Sequence, residues 1–120
     1  MKDILAELDA LGAETADALD RFMDDRDMYL KYVRSFPEEP TMVRLTAAVD
    51  AADYAEAEKA VHALKGIVNN LGFLPLADAA IDMLEELRDS NVDAALDAYQ
   101  DVQKQYARFT QVIRAWRDAE

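Results

Sequence analysis

The fold of this chain is decided by one stretch, Ala60-Val61-His62-Ala63-Leu64-Lys65-Gly66-Ile67-Val68-Asn69-Asn70-Leu71-Gly72, which holds the only histidine among 120 residues. Apolar side chains recur through it at the three-and-four spacing of one face of an α-helix. These apolar positions are Ala57, Ala60, Val61, Leu64, Ile67, Val68 and Leu71. The stretch therefore predicts an amphipathic helix with one buried side.

The opposite, polar side of this predicted helix carries His62, Lys65 and Asn69, and Gly66 lies one turn beyond the histidine. Because helical side chains lean toward the N-terminus, the Lys65 ammonium can reach back toward the imidazole. Gly66 has no side chain, so we expect open space beside the ring. A nucleophilic nitrogen, a cation and a cleared space on one exposed face suit the transfer of an anionic group such as phosphoryl.

These residues resemble the motif of the histidine-containing phosphotransfer (Hpt) domains, which reads approximately A-H-x-L-K-G with a second glycine six residues after the first. In this chain His62 is followed by Leu64-Lys65-Gly66, and Gly72 is the second glycine. Val61 stands where an alanine is usual, and Leu84 falls where many members carry a Gln or Glu that supports the imidazole by a hydrogen bond. The resemblance covers nearly the whole chain, because the stretch before the motif also reads like the family.

The resemblance implies that the Nε2 atom of His62 accepts a phosphoryl group from an aspartyl phosphate on a receiver domain and passes it to a second receiver aspartate. The implied partners are response-regulator receiver domains, hybrid histidine kinases or both. The protein would need no cofactor of its own, and Mg²⁺ would be held only by the acidic pocket of the receiver. The chain has no Walker-type or kinase nucleotide motif, so we expect a phosphoryl carrier and not a kinase or other enzyme.

For each residue near His62 we give an expected role in phosphoryl transfer and the structural explanation that competes with it. Lys65 would stabilise the charge of the phosphoryl oxygens, or it solvates the helix face. Glycine destabilises the interior of a helix by about 1 kcal/mol relative to alanine, so its presence needs a reason. Gly66 would give access to the ring, or it permits close helix packing. Asn69 supports the site by hydrogen bonds or marks the fraying end of the helix. Glu58, one turn before His62, orients the ring or is a solvated charge, which we favour.

Two other functions remain open at this point. Leu84 lacks the hydrogen-bonding group of the family position, which allows a helical adaptor, a pseudo-Hpt that binds a signalling partner without taking phosphate. A purely structural acidic bundle would bury His62 and satisfy it with hydrogen bonds. Carboxylate-bridged metal bundles need a second histidine, so we expect no metal ligands.

The composition narrows the possible partners and location. The net charge is −12 and the pI is near 4.4, and such a surface repels nucleic acid and anionic membranes. The chain has no cysteine and therefore neither disulfides nor thiolate metal sites. No apolar run approaches the roughly 18 residues of a membrane span. We expect a cytoplasmic monomer that binds neither nucleic acid nor membrane.

The predicted fold is all-α, an up-down-up-down four-helix bundle with short N-terminal covering helices, because short loops between long helices favour antiparallel neighbours. We expect a single domain over residues 1–120, with the covering helices in 1–24 and the bundle in 25–119. The first covering helix would run over Met1–Leu11 and end at Gly12, and Thr15 would be the N-cap of the second.

The first bundle helix is predicted in two collinear pieces, interrupted at Phe36-Pro37-Glu38-Glu39-Pro40, because proline removes a backbone donor. Its first piece is expected to turn inward Met28, Tyr29, Tyr32, Val33 and Phe36. The histidine helix would run over Tyr54–Leu71, with Asp53 as its N-cap and Gly72 at its end. The next helix would begin at Leu74-Pro75, and the last would begin after an N-cap at Ser90 or Asn91.

Overall fold

In the computed structural model, which describes residues 3–120, the chain forms only helices and the turns between them. Seven α-helices and one 3₁₀ helix lie within these residues. They are α1 (Ile4–Ala10), α2 (Thr15–Arg21), α3 (Arg26–Ser35), the 3₁₀ helix (Phe36–Glu38), α4 (Thr41–Asp50), α5 (Tyr54–Leu71), α6 (Leu74–Arg88) and α7 (Val92–Asp118). The all-α class expected from the sequence is confirmed.

The ends of α5, the histidine helix, are set by local residues. The Asp53 carboxylate accepts a hydrogen bond from the backbone N–H of Glu56 at 3.2 Å, which satisfies one of the free donors of the first turn. Gly72 follows the last turn with φ +82°, the left-handed conformation that favours glycine. Both ends lie where the sequence predicts them.

The two helices after α5 also begin as predicted. Pro75 lies in the first turn of α6, where no intrahelical partner is needed for its missing N–H. Asn91 occupies the N-cap position of α7, although its side chain makes no capping hydrogen bond. The connections between α5, α6 and α7 are only two or three residues long, so consecutive helices pack as antiparallel neighbours.

Three hydrogen bonds show that α7 runs antiparallel to α3 and α4. Residues successively closer to the C-terminus of α7 contact successively earlier elements, first α4, then the 3₁₀ helix and then α3. In order along α7, the donors and acceptors are the Tyr99 hydroxyl and Thr46 Oγ1 (3.1 Å), the Tyr106 hydroxyl and the Pro37 carbonyl (3.3 Å), and Arg117 Nη1 and the Arg34 carbonyl (3.1 Å). Thus α3 and α4 act as one interrupted helix alongside α7.

The same interrupted helix is antiparallel to α5. Near the end of α5, the Tyr29 hydroxyl on α3 donates to the Leu71 carbonyl at 2.7 Å. Near its beginning, Arg44 on α4 forms an ion pair with Glu56 at 3.3 Å. With α6 returning alongside α5 and α7 alongside α6, the order is up-down-up-down, as predicted.

The core between these helices contains a column of aromatic rings. Phe73, in the tight turn between α5 and α6, stacks on Phe109 of α7 with ring centroids 4.6 Å apart. On its other side it meets Phe36 edge-on at 5.3 Å, and Phe36 in turn contacts Tyr106 at 5.5 Å. The 3₁₀ helix is therefore held against both the α5–α6 turn and α7.

The first piece of the interrupted helix buries fewer side chains than predicted. Tyr29, Val33 and Phe36 are buried, whereas Met28 and Tyr32 are about half exposed, at 47% and 52%. The three buried residues follow one helical stripe, and the two exposed ones lie one residue earlier on a neighbouring stripe. Contact with α5 and α7 covers only the first stripe, so the prediction for Met28 and Tyr32 was wrong.

The short helices α1 and α2 pack against the bundle, α1 on α7 and α2 on α5. The prediction that Thr15 is the N-cap of α2 was wrong by one residue, because Glu14 holds that position. The backbone N–H and the hydroxyl of Thr15 both donate to the Asp9 carboxylate at 3.0 Å, so Asp9 supplies the capping acceptor from the preceding helix. Met1, where the first predicted helix begins, lies outside the described residues.

Membrane-spanning helices and clusters of metal ligands are both absent from residues 3–120. No helix there is long and apolar enough to cross a membrane. No group of three or more His, Asp or Glu side chains there is placed to hold a metal ion.

Candidate functional site

His62 lies on the outward face of α5, with its side chain exposed. The helix directs six apolar residues into the core, and the histidine falls on the other side of the cylinder. The buried residues are Ala57, Ala60, Val61, Leu64, Val68 and Leu71. The imidazole makes no hydrogen bond or ion pair with any residue from 3 to 120, so both ring nitrogens are open to an incoming group. This position contradicts the hypothesis of a buried, structurally satisfied histidine.

Lys65 lies on the next turn of the same face and is only partly exposed. Its ammonium makes no ion pair or hydrogen bond within the described chain. Helical side chains lean toward the N-terminus, so the unpaired ammonium is within reach of the neighbourhood of His62. The pair therefore offers a nucleophile and a cation, and neither is committed to another protein group.

Gly66 is exposed, and a Cβ atom built on it would find no heavy atom within 4 Å. No helix packs closely against this glycine, so the packing explanation fails. The ring of His62 is also farther than 4 Å from that Cβ position, so an alanine would not crowd the imidazole in the free protein. The space at Gly66 opens outward, toward whatever approaches the histidine.

Glu58, one turn before His62, is partly exposed and bonds to no described residue, the imidazole included. On the other side of the histidine, Lys59 is exposed and equally unpaired. Sequence reasoning did not single out Lys59, although its spacing of three residues from His62 places it on the same face. Two lysines thus flank the imidazole, one on each side along the helix.

The outward surface of α5 that contains these groups is called the His62 face below. It consists of Ala55, Glu58, Lys59, His62, Lys65, Gly66, Asn69 and Asn70. Two lysines and one carboxylate give this face a positive balance, whereas the whole chain carries a net charge of −12. The one nucleophilic imidazole therefore lies on a locally cationic surface, which suits an anionic reaction partner.

The side chains of Asn69 and Asn70 are exposed, while their carbonyl oxygens are bound by α2. Arg21 donates from Nη2 to the Asn69 carbonyl at 2.8 Å and from Nε and Nη2 to the Asn70 carbonyl at 3.3 and 3.1 Å. The Leu71 carbonyl accepts from the buried Tyr29 hydroxyl. The end of α5 is therefore capped by side chains and not frayed. Arg21 is 48 residues from Asn69 in sequence, and no local pattern indicates this contact.

Leu84 is buried, with 2% of its surface exposed. Its side chain packs in the core and has no group that could donate to or accept from the imidazole. A supporting hydrogen bond from this position to His62 is therefore excluded.

Comparison with known proteins agrees with this geometry. The family model described as the Hpt domain matches residues 1–116 of the 120. No curated protein and no solved structure gives a significant match. Hpt domains are phosphocarrier modules that work with receiver domains and kinases in phosphorelays. From the match over nearly its whole length, together with an exposed histidine on α5, the chain belongs to the Hpt domain family.

Proposed function

We propose that this protein carries a phosphoryl group on His62 between aspartates of receiver domains in a two-component phosphorelay. The observation that carries the proposal is the exposed imidazole with no protein partner, one turn before a lysine that also has none. Response-regulator receivers, hybrid histidine kinases or both would be the partners, and the exchange would take place in the cytoplasm.

The transfer requires only groups that the His62 face offers. With its proton on Nδ1, the neutral imidazole attacks the phosphorus of an aspartyl phosphate through the lone pair of Nε2. The new N–P bond forms as the P–O bond to the aspartate breaks, and the carboxylate leaves with the electron pair. The reverse step returns the phosphoryl group to a second aspartate. Mg²⁺ would belong to the acidic pocket of the receiver.

Lys65 would lower the barrier by holding positive charge beside the phosphoryl oxygens. A unit pair about 4 Å apart gains roughly 4 kcal/mol at an effective dielectric constant near 20, before desolvation and screening are subtracted. Lys65 has no ion pair with any residue from 3 to 120, so no interaction within the described chain has to be broken before its ammonium binds the phosphoryl oxygens.

The first test is label transfer. Isolated receiver domains charged with ³²P-acetyl phosphate are mixed with the protein, and acid-labile, base-stable label on the carrier is followed. We expect wild type to be labelled and His62→Ala to take up no label while keeping its helical circular dichroism, because the substituted side chain is on the surface. Persistent labelling of His62→Ala would remove His62 from this role.

The second test addresses the cation. We expect Lys65→Ala to slow transfer by about 10- to 100-fold, because a charge near the reacting oxygens is lost. Lys104→Ala, an exposed lysine on the opposite bundle helix α7, is the matched control and should transfer at the wild-type rate. Equal rates for the two variants would contradict the role of Lys65.

A non-phosphorylated adaptor is the second candidate, and the burial of Leu84 is the observation that favours it, because the imidazole lacks the supporting hydrogen bond. The same experiment separates the two functions. A receiver that binds the protein stoichiometrically but leaves no phosphohistidine would indicate the adaptor.

A further inference from the structure

Arg21, the last residue of α2, holds its guanidinium in a fixed orientation at the C-terminal end of the histidine helix. Three hydrogen bonds to the Asn69 and Asn70 carbonyls use Nε and Nη2. A cation is favoured at this end of a helix, where unpaired carbonyls carry partial negative charge. The side chain is nevertheless exposed, so it is oriented without being covered.

One edge of this guanidinium remains available. Arginine has five N–H donors, and the two on Nη1 reach no acceptor between residues 3 and 120. Glu14 and Asp17 lie on the same short segment, but neither forms an ion pair with Arg21. The guanidinium is therefore held in place, and Glu14 interacts with its charge through space without forming an ion pair.

Arg21 also lines an open depression on the His62 face, together with Gly66, Asn69 and Asn70. The side-chain amides of Asn69 and Asn70 are exposed and bond to no described residue. At Gly66, which also lines the depression, even an added Cβ would meet no heavy atom within 4 Å. Its lining thus combines one oriented cation with two amides that can donate hydrogen bonds.

The depression and His62 lie close enough to be covered by one partner. Gly66 is one turn from His62, about 6 Å along the helix axis, and Asn70 is one further turn away. A protein interface covers roughly 800 Å² on each side, and a smaller transient interface still extends over several helical turns. A receiver that reaches His62 therefore also lies over Arg21.

We infer that Arg21 is a docking anchor, and that it binds a carboxylate side chain of the receiver domain that exchanges phosphate with His62. The inference rests on the proposed function. A carboxylate matches both the guanidinium edge and the amide donors, and the acidic surface of this protein would repel it almost everywhere else. Because three hydrogen bonds already orient the guanidinium, little side-chain entropy is lost when the carboxylate binds. Arg21 acts on docking and takes no part in the chemistry at His62.

The experiment uses the receiver domain that labels His62 fastest, charged with acetyl phosphate, and measures the transfer rate against receiver concentration. We expect Arg21→Gln to raise the half-saturating concentration about 10-fold and to change the maximal rate by less than about 2-fold. Arg21→Lys should recover most of the loss at low salt, and the salt dependence of Arg21→Gln should be shallower than that of wild type. Lys104→Gln, on α7, is the matched control and should behave as wild type.

A purely structural role for Arg21 predicts a different outcome. Loss of the cap alone would lower the melting temperature of Arg21→Gln and leave the half-saturating concentration unchanged, and that result overturns the anchor while the proposed function stands. The double variant Asn69→Ala, Asn70→Ala keeps the carbonyls that Arg21 caps, so it tests the depression in a folded protein. It should raise the half-saturating concentration about 3-fold, and an unchanged value also counts against the anchor. Failure of every receiver to label wild type would overturn both proposals.

Discussion

At the residue scale, the outward position of His62 follows from where the apolar residues of its helix lie. Six buried apolar side chains occupy one side of α5, and His62 is three or four residues from none of them, so it does not share their side of the helix. Exposure without any hydrogen-bond partner among the described residues is the property that a phosphoryl acceptor needs. Lys65 is placed by the same helical geometry, so a spacing of three residues brings nucleophile and cation to one face.

The role of Gly66 can be isolated because its surroundings in the free protein are empty. We expect Gly66→Ala to raise the free energy of unfolding by up to about 1 kcal/mol, because alanine is the better helix former and its Cβ meets no neighbour. We also expect a slower phosphotransfer, because the added methyl group narrows the approach to His62. Urea unfolding measures the first effect and label transfer the second.

Ala107→Gly, at an exposed position of α7, is the control for Gly66→Ala. It should lower stability by about 1 kcal/mol and leave the transfer rate unchanged, showing that a stability change of this size does not alter transfer. A Gly66→Ala protein that transfers as fast as wild type would show that the glycine does not serve access.

At the element scale, α5 has one end that its own sequence determines and another that the tertiary structure completes. Asp53 caps the beginning and Gly72 ends the helix, and both follow from rules that act over a few residues. The last carbonyls are satisfied by Arg21 and Tyr29, which come from α2 and α3. The C-terminal end of α5, where Asn69 and Asn70 of the His62 face lie, is thus also the point at which α2 and α3 contact the helix.

The turn at Gly72 should tolerate no side chain. Its φ is +82°, and a Cβ atom would lie 2.7 Å from the backbone carbonyl oxygen of Glu14, which cannot move aside easily. The left-handed conformation alone costs a residue with a Cβ about 1 to 2 kcal/mol. We expect Gly72→Ala to lower the free energy of unfolding by at least about 2 kcal/mol, measured by urea unfolding.

The comparison for Gly72→Ala is the same substitution six residues earlier. Gly66→Ala adds the same methyl group inside the same helix, but in open space and in helical conformation, so the two variants should change stability in opposite directions. A Gly72→Ala protein as stable as wild type would contradict the contact with Glu14.

The ends of a helix could be predicted from the sequence where residues a few positions apart determine them. They could not be predicted where the determining contact comes from a distant part of the chain. The bounds Tyr54–Leu71 were predictable from Asp53, Gly72 and the apolar period between them. The start of α2 was not, because the acceptor for Thr15 is the Asp9 carboxylate of the preceding helix. The cap of α5 by Arg21 joins residues 48 or more apart, and no local pattern shows it.

The candidate site shows the same division. His62, Lys65 and Gly66 were found from their spacing on one helix, whereas the depression at Arg21 depends on how α2 packs. The exposure of Tyr32 was also missed, because apolarity indicates which residues prefer the core and does not show how wide each helix contact is.

At the scale of the whole molecule, the distribution of charge separates the His62 face from the rest of the surface. A net charge of −12 keeps the protein soluble and repels acidic partners over most orientations. Two lysines on the His62 face and Arg21 at its end give this part of the surface a positive charge balance. Under the proposed function, a partner that carries an anionic aspartyl phosphate would be directed to this face.

Two of the tyrosine hydroxyls that join different parts of the bundle make the whole fold sensitive to alkaline pH. Tyr29 donates to the Leu71 carbonyl and Tyr106 to the Pro37 carbonyl. Burial is the main cause that raises the pKa of both groups above the usual value, and for Tyr29 the nearby Asp9 carboxylate adds to it. Only the neutral hydroxyl can donate, so the folded state retains a proton that the unfolded chain loses near pH 10.

We therefore expect the free energy of unfolding to be constant with respect to these two groups below about pH 10 and to fall as the pH rises from there toward their folded pKa values. Each tyrosine that ionises only on unfolding lowers the free energy of unfolding by up to about 1.4 kcal/mol per pH unit.

Tyr29→Phe should be less stable than wild type at neutral pH, by about 1 to 2 kcal/mol, because the Leu71 carbonyl loses its partner. Above pH 10 its slope should be shallower, so the two stability curves approach each other. Tyr32→Phe, at a half-exposed position whose hydroxyl bonds to no described residue, should follow the wild-type curve. Urea unfolding at a series of pH values from 7 to 11 measures all three curves, and a constant gap between wild type and Tyr29→Phe would show that the buried hydroxyl is not the group that makes the bundle alkali-sensitive.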